Sequence, residues 1–287
     1  MKGLTDIMKS YWECLQDCLQ DISRKCRKSV VEDLVDVISG ASGGWGACLG
    51  PCRGDGDKVD EKCWRRYADA LPLSLVVVRA RLVYRGRPGS GVPLPPVELG
   101  LLVHPVFLVP FFPGSAVKGL LRSVYKLLLG EKGLDSDAVE RCVEGLFGST
   151  EGLRGVGALV AFDAYPVEPG RGGVYAVGDV LAPHYGPGGD RELVTELDAV
   201  PRPVQGVSVA EGTVFEFAVG VDEDYAAARL SRDCLLGSPG TAILAARLLA
   251  LGLEHAGLGG KTTRGYGLFE VKEARLFPQT RTRRVKS

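Results

Sequence analysis

The residues in this sequence best suited to chemistry are cations set among glycines. Gly257-Leu258-Gly259-Gly260-Lys261-Thr262-Thr263-Arg264-Gly265-Tyr266-Gly267 brings two cationic side chains and two hydroxyls into one short stretch. Small residues let a foreign backbone come close, and Lys and Arg pair with phosphate, so the stretch suits a polynucleotide backbone. It is not a nucleoside-triphosphate loop. That motif needs Gly six residues before its Lys, where this chain has His255, and it must follow a strand, whereas a helical pattern precedes it here. The bland alternative is a glycine-rich turn with solvated charges.

A second basic motif is Pro113-Gly114-Ser115-Ala116-Val117-Lys118-Gly119-Leu120-Leu121-Arg122. It predicts a helix over 115–129, with Ser115 as N-cap, Val117, Leu120, Leu121, Val124 and Leu128 on the apolar face, and Gly130 ending it. A helix N-terminus offers unpaired amides and the positive end of a dipole, and Lys118 with Arg122 adds a cationic stripe that Lys126 extends. No Asp or Glu occurs from Leu99 through Gly130, which favours phosphate binding over an ordinary solvated face.

His184 and Tyr185 form a third feature. A His beside a Tyr could act as a general base with a stacking partner, but the three His of the chain, His104, His184 and His255, lie in separated segments. A lone His more often makes a structural or RNA contact than a catalyst, and that role is expected here. Asp163 and Asp179 are too scattered to argue for a metal, so neither metal nor cofactor is expected.

Several elements must position these groups. Residues 5–39 read as a helical arm, and 40–62 as a Gly- and Asp-rich boundary. Leu73 to Tyr84 is the clearest strand; its alternation puts Val76, Val78, Ala80 and Leu82 on a core face and Arg79 and Arg81 on a basic, open face available to RNA. A second strand is predicted over 156–162. About fifty residues of little periodicity, 163–211, follow as an insertion. A strand at 213–219, helices at 225–235 and 241–254, and a last strand at 266–276 complete the chain. The order is strand, helix, strand, insertion, strand, helix, strand. It is the α+β pattern of a ferredoxin-like (RRM-like) fold, in which one sheet face is left free. The expected division is a Cys-rich helical N-terminal extension over 1–70, a sheet-bearing domain over 71–276 with its insertion at 163–211, and a basic tail over 277–287.

Composition bounds the function. The 287 residues carry 35 Lys and Arg against 35 Asp and Glu, so no global field draws the protein to nucleic acid or membrane and any basic site must be local. Gly and Pro, 39 and 17 residues, predict a loop-rich fold. The longest apolar stretches are interrupted and too short to cross a membrane, and the N-terminus lacks a signal-peptide pattern, which points to the cytoplasm. Six of the eight cysteines, Cys14, Cys18, Cys26, Cys48, Cys52 and Cys63, fall in the first 63 residues. Structural disulfides, reduced core thiols and a zinc site all remain open, with disulfides preferred; cytosolic disulfides belong mainly to hyperthermophiles, and the near spacings are one residue too long for the usual zinc pair.

The two glycine-containing motifs together resemble the RAMP superfamily, whose domains build CRISPR effector complexes: Gly257-x-Gly259-x5-Gly265-x-Gly267 is similar to the family's glycine-rich motif and PGSAVKGLLR to its first-helix signature. Leu146-Phe147-Gly148, Val160-Ala161-Phe162-Asp163-Ala164 and Asp179-Val180-Leu181-Ala182-Pro183-His184-Tyr185 narrow the resemblance to the subunit-six family of the type III-B Cmr complex, over about 73–276. The resemblance implies a non-catalytic backbone subunit that binds guide RNA and the paired target RNA beside other RAMP subunits, with the insertion laid across the guide like a thumb. RNA-binding residues are then expected at Arg79, Arg81, Gly114, Ser115, Lys118, Arg122, His184, Tyr185, Gly259, Gly260, Lys261, Thr262, Thr263, Arg264 and Tyr266. The RNA-cleaving subunit of such complexes carries an Asp between the first strand and first helix, where this chain has only Glu98. The alternatives are a repeat-RNA-processing endoribonuclease of the same superfamily and an RNA-independent interaction module.

Overall fold

The computed structural model describes residues 58–89, 99–104, 109–149, 155–181 and 203–280. In chain order the elements are α1 (Glu61–Ala70), β1 (Ser74–Leu82), α2 (Gly114–Glu131), α3 (Ser136–Phe147), β2 (Leu159–Ala161), β3 (Tyr165–Glu168), β4 (Ala176–Leu181), β5 (Val204–Val209), β6 (Val214–Val221), α4 (Glu223–Arg229), α5 (Thr241–Leu251) and β7 (Phe269–Phe277). The main sheet has the order β2-β6-β1-β7, all antiparallel, and β3 pairs with the other half of β6. The central strands, β1 and β6, are also the most buried. β6 is buried at every position and β1 at all but Arg81, as strands covered on both faces must be.

On one face the expected alternation holds. Val76, Val78, Ala80 and Leu82 join Phe215, Phe217 and Val219 in the main core, together with residues of α2, α3 and α5. Phe112, Phe215, Phe217 and Phe269 pack there as a cluster of tilted and edge-on rings, a geometry favoured by the ring quadrupole.

The other face is not open, and this corrects the expected basic surface. α1 lies across it, with Val59, Trp64 and Ala68 packed on Leu75, Val77, Ala218 and Phe277. Asp60 caps α1 by accepting from the Cys63 amide at 3.0 Å. Arg79 is wholly buried beneath the helix and donates to Glu216 on β6 at 3.0 Å, while the Trp64 indole donates to the other Glu216 oxygen at 3.2 Å. A buried guanidinium needs a carboxylate, and β6 supplies it from the register partner of Arg79. Arg79 is therefore part of the packing and not presented to a ligand; Arg81, further along the same face, is half-buried. Val59, Trp64 and Ala68, from the last part of the expected N-terminal extension, thus pack on the sheet.

α2 starts one residue early for a steric reason. Pro113 occupies the N-cap position without a side-chain cap, and Ser115 sits exposed in the first turn, so Ser115 is not the cap. A Cβ on Gly114 would lie 2.3 Å from the Ala161 carbonyl oxygen, so only glycine lets the helix start against β2. α3 is an element the sequence reading did not anticipate. Its Cys142 is disulfide-bonded to Cys234 across 92 residues, worth about 4 to 5 kcal/mol by chain-entropy reasoning. Cys63 is also disulfide-bonded. Cys14, Cys18, Cys26, Cys48 and Cys52, and with them the expected helical arm, lie outside the described residues.

The insertion is more regular than its composition suggested. β3 continues the main sheet, and β4 and β5 form a separate two-stranded antiparallel ladder from Ala176↔Val209 to Leu181↔Val204. Gly and Pro between short strands hid the period-two signal. His184 and Tyr185, which follow β4, are outside the described residues.

Candidate nucleic-acid interface

The glycine-rich stretch forms a loop closed on itself and sewn to the chain leaving β1. The Leu258 amide donates to the Gly267 carbonyl at 2.8 Å, closing the loop. The Gly267 amide donates to Arg85 at 2.8 Å and the Gly260 amide to Arg87 at 2.9 Å. Two glycines are required by geometry. A Cβ on Gly267, at φ 69°, would sit 2.0 Å from the Leu258 oxygen, and one on Gly259, at φ 98°, 2.6 Å from the Arg87 oxygen. Lys261 is itself left-handed at φ 63°, a conformation that costs a lysine about 1 kcal/mol. The strained turn leaves Lys261, Thr263 and Arg264 exposed and Thr262 half-buried.

Beneath the loop lies a polar hub that sequence reasoning missed. Asp179 of β4, 5% exposed, accepts from Arg85, from Ser208 at 2.5 Å, from the Tyr266 hydroxyl at 3.0 Å and from Arg87 at 3.4 Å. Burial alone would raise its carboxyl; the hydrogen bonds from Ser208 and Tyr266 and the charge of Arg85 outweigh burial and hold it below the ordinary carboxylate value. Burial first, and then the neighbouring Asp179 charge, push the Tyr266 hydroxyl up to about 12. Tyr266 is buried with its hydroxyl engaged, so it supports the loop from below; the expected direct RNA contact is corrected on that ground. The available signal was the pairing of Asp179 with Ser208 in a candidate insertion, which one sequence alone does not reveal as adjacent strands.

The α2 N-terminus and the glycine loop meet at Phe112. Its ring lies where a Cβ on Gly259 would come within 3.1 Å, its amide donates to Ala164, and α2 begins two residues later. The Gly114 amide is not vacant for a phosphate: it donates to the Asp163 carboxylate at 2.7 Å. The cations further along α2 differ. Lys118 is half-buried, and burial first and Arg122 second lower its pKa. The Nε of half-buried Arg122 has no hydrogen-bond partner. Lys126, by contrast, pairs with Glu140 at 3.8 Å across exposed surface, whereas neither Lys118 nor Arg122 has an ion pair among the described residues. Two crowded cations with no acid beside them among the described residues are in an arrangement that an anion relieves. Among the described residues no group of His, Cys, Asp and Glu could hold a metal ion.

This sheet, covered by helices on both faces and carrying a glycine-rich loop before its last strand, has the architecture of an α+β domain. A model of the RAMP superfamily matches residues 54–270, and the chain belongs to that superfamily. It is similar to the CRISPR system CMR subunit Cmr6 of Saccharolobus solfataricus, with 27% identity over 232 residues, 78% of this chain and 68% of that protein. Its fold matches a chain in the cryo-EM structure of the type III-B Cmr-beta complex bound to cognate target RNA, with TM-score 0.53, 26% identity, and coverage of 78% of this chain and 68% of that one. Cmr6 from Pyrococcus furiosus matches with TM-score 0.39 at 19% identity, over 70% of this chain and 99% of that one.

Proposed function

We propose that this protein is a Cmr6-like backbone subunit of a type III-B CRISPR ribonucleoprotein, holding guide RNA and paired target RNA beside other RAMP subunits in the cytoplasm and cleaving neither. The observation that carries the reading is the meeting at Phe112 of the glycine loop, which exposes Lys261 and Arg264, with the start of α2, which carries Lys118 and Arg122 without an ion pair among the described residues. The similarity to Cmr6 and to a chain of an RNA-bound Cmr assembly supports the partners. The sheet order fits a ferredoxin-like fold in which the second strand is split into β2 and β3 and the β4–β5 ladder is inserted before the third; that ladder is the thumb-like element of the reading. No helix among the described residues is long and apolar enough to cross a membrane. The presence of only Glu98 between β1 and α2, where the cleaving relative has Asp, supports a structural role.

Backbone contact makes binding tolerant of RNA sequence and sensitive to salt. Lys118→Ala with Arg122→Ala, or Lys261→Ala with Arg264→Ala, is expected to weaken binding alike across RNA sequences and to lower the slope of log affinity against log salt by about one to two. Filter binding at several salt concentrations measures both. Unchanged affinity and slope in both double variants would reduce the motifs to structural turns.

A further inference from the structure

Between the sheet and the glycine loop one aromatic side chain is held in place without being buried. Tyr84 follows β1 and remains 42% exposed, with Val83 beside it 57% exposed. Its neighbours along the chain are both tied to the far side of the loop: Val83 donates to the Leu268 carbonyl at 2.9 Å, and Arg85 accepts from Gly267 at 2.8 Å. The backbone that carries the ring is therefore part of the loop's own framework. The ring is also held by two side chains: Tyr266 meets it at 77°, with centroids 5.4 Å apart, and the Arg85 guanidinium lies over one of its faces, 5.7 Å from the centroid. Both supports are anchored in turn, because Tyr266 and Arg85 each donate to buried Asp179.

An exposed ring braced by two residues that are fixed to the same carboxylate is held in one orientation toward solvent. We propose that Tyr84 is a stacking platform for one unpaired RNA base, set beside the loop whose Lys261 and Arg264 hold the phosphates on either side of it. The inference rests on the function proposed above and deepens it: the cations supply sequence-tolerant attachment, and the ring fixes where along the strand a nucleotide sits. Any base presents a π face, so the platform is itself tolerant of sequence. Arg85 near the ring adds a cation to the stack without leaving its pairing to Asp179.

The test uses the full chain, a labelled single-stranded oligoadenylate, and an oligomer of the same length made of abasic ribose phosphate. Tyr84→Ala is expected to weaken oligoadenylate binding at least about fivefold, the range of a lost base stack. Its salt slope should match that of the unaltered protein, because a stacked base releases no counterions. Tyr84→Phe and Tyr84→Trp should retain binding, and the abasic oligomer should bind the unaltered protein and Tyr84→Ala alike. If the unaltered protein shows no salt-dependent RNA binding, the proposed function falls and the platform with it. If it binds and Tyr84→Ala binds equally well, the platform alone is overturned; equal binding with weakened assembly onto other subunits would make Tyr84 a protein contact. A lowered salt slope in Tyr84→Ala would trace the loss to a displaced glycine loop and likewise overturn the proposal.

Discussion

Arg79 meets Glu216 at 3.0 Å in the middle of the sheet, and Arg85 and Arg87 meet Asp179 at its end; both carboxylates are buried, yet the two clusters are built for different ends. The first is sealed. α1 covers it, Trp64 donates a further hydrogen bond to Glu216, and burial pushes the Glu216 carboxyl up despite its arginine. The second is roofed by a glycine loop with a left-handed lysine, and its carboxyl is held down by Ser208, Tyr266 and Arg85 against the effect of burial. One cluster reconciles a charged pair with a core; the other transfers the rigidity of β4 and β5 to an exposed basic loop. Charge buried in a sheet is thus no guide to a ligand site unless its partners lead to the surface.

Breaking the sealed cluster should have the largest effect on stability. Arg79→Ala leaves Glu216 buried beneath α1 without its counter-charge and is expected to cost about 3 to 5 kcal/mol in thermal or denaturant unfolding. Whatever fraction remains folded should keep its RNA affinity. A selective loss of binding in Arg79→Ala with unchanged stability would place Arg79 at the interface and undo the contrast.

The roofed cluster responds next, through its backbone. Gly267→Ala forces a Cβ against the Leu258 oxygen at φ 69° and is expected to cost about 3 kcal/mol, combining left-handed strain with overpacking. Here stability and RNA binding should fall together, because the same loop bears Lys261 and Arg264.

The smallest effect comes from the hub's charge. Asp179→Asn keeps the shape but loses the anion facing Arg85 and Arg87, about 1 to 3 kcal/mol at neutral pH. The sign with pH follows from the lowered carboxyl: in the folded protein its pKa lies below the unfolded value of 3.8, so its contribution is present above that pH and is lost as pH falls through the folded value. The gap between the unaltered protein and Asp179→Asn should therefore close on acidification below about pH 4, as denaturant titrations at several pH values would show. Glu216 runs the other way: its raised folded pKa makes its contribution full in acid and lost as pH rises through that value.

The amphipathic pattern of residues 115–129 was enough to locate α2, and the strand patterns of residues 73–84 and 213–219 to locate β1 and β6, because period and hydrophobicity are local properties. The glycine loop was legible too, since Gly257, Gly259, Gly265 and Gly267 all take positive φ, which little else does cheaply. Other features were not local. That Arg79 faces Glu216 and not solvent depended on α1 folding back across the sheet, and the sequence of β1 alone reads the same with or without that cover. That Asp163 takes the Gly114 amide, and that Asp179 gathers Arg85, Arg87, Ser208 and Tyr266, depended on strands brought together from up to 94 residues apart. Residue types and periodicity determined the elements and the cations available. Which cations are consumed by the fold and which reach the surface was decided only in three dimensions, where desolvation makes every buried charge find its partner.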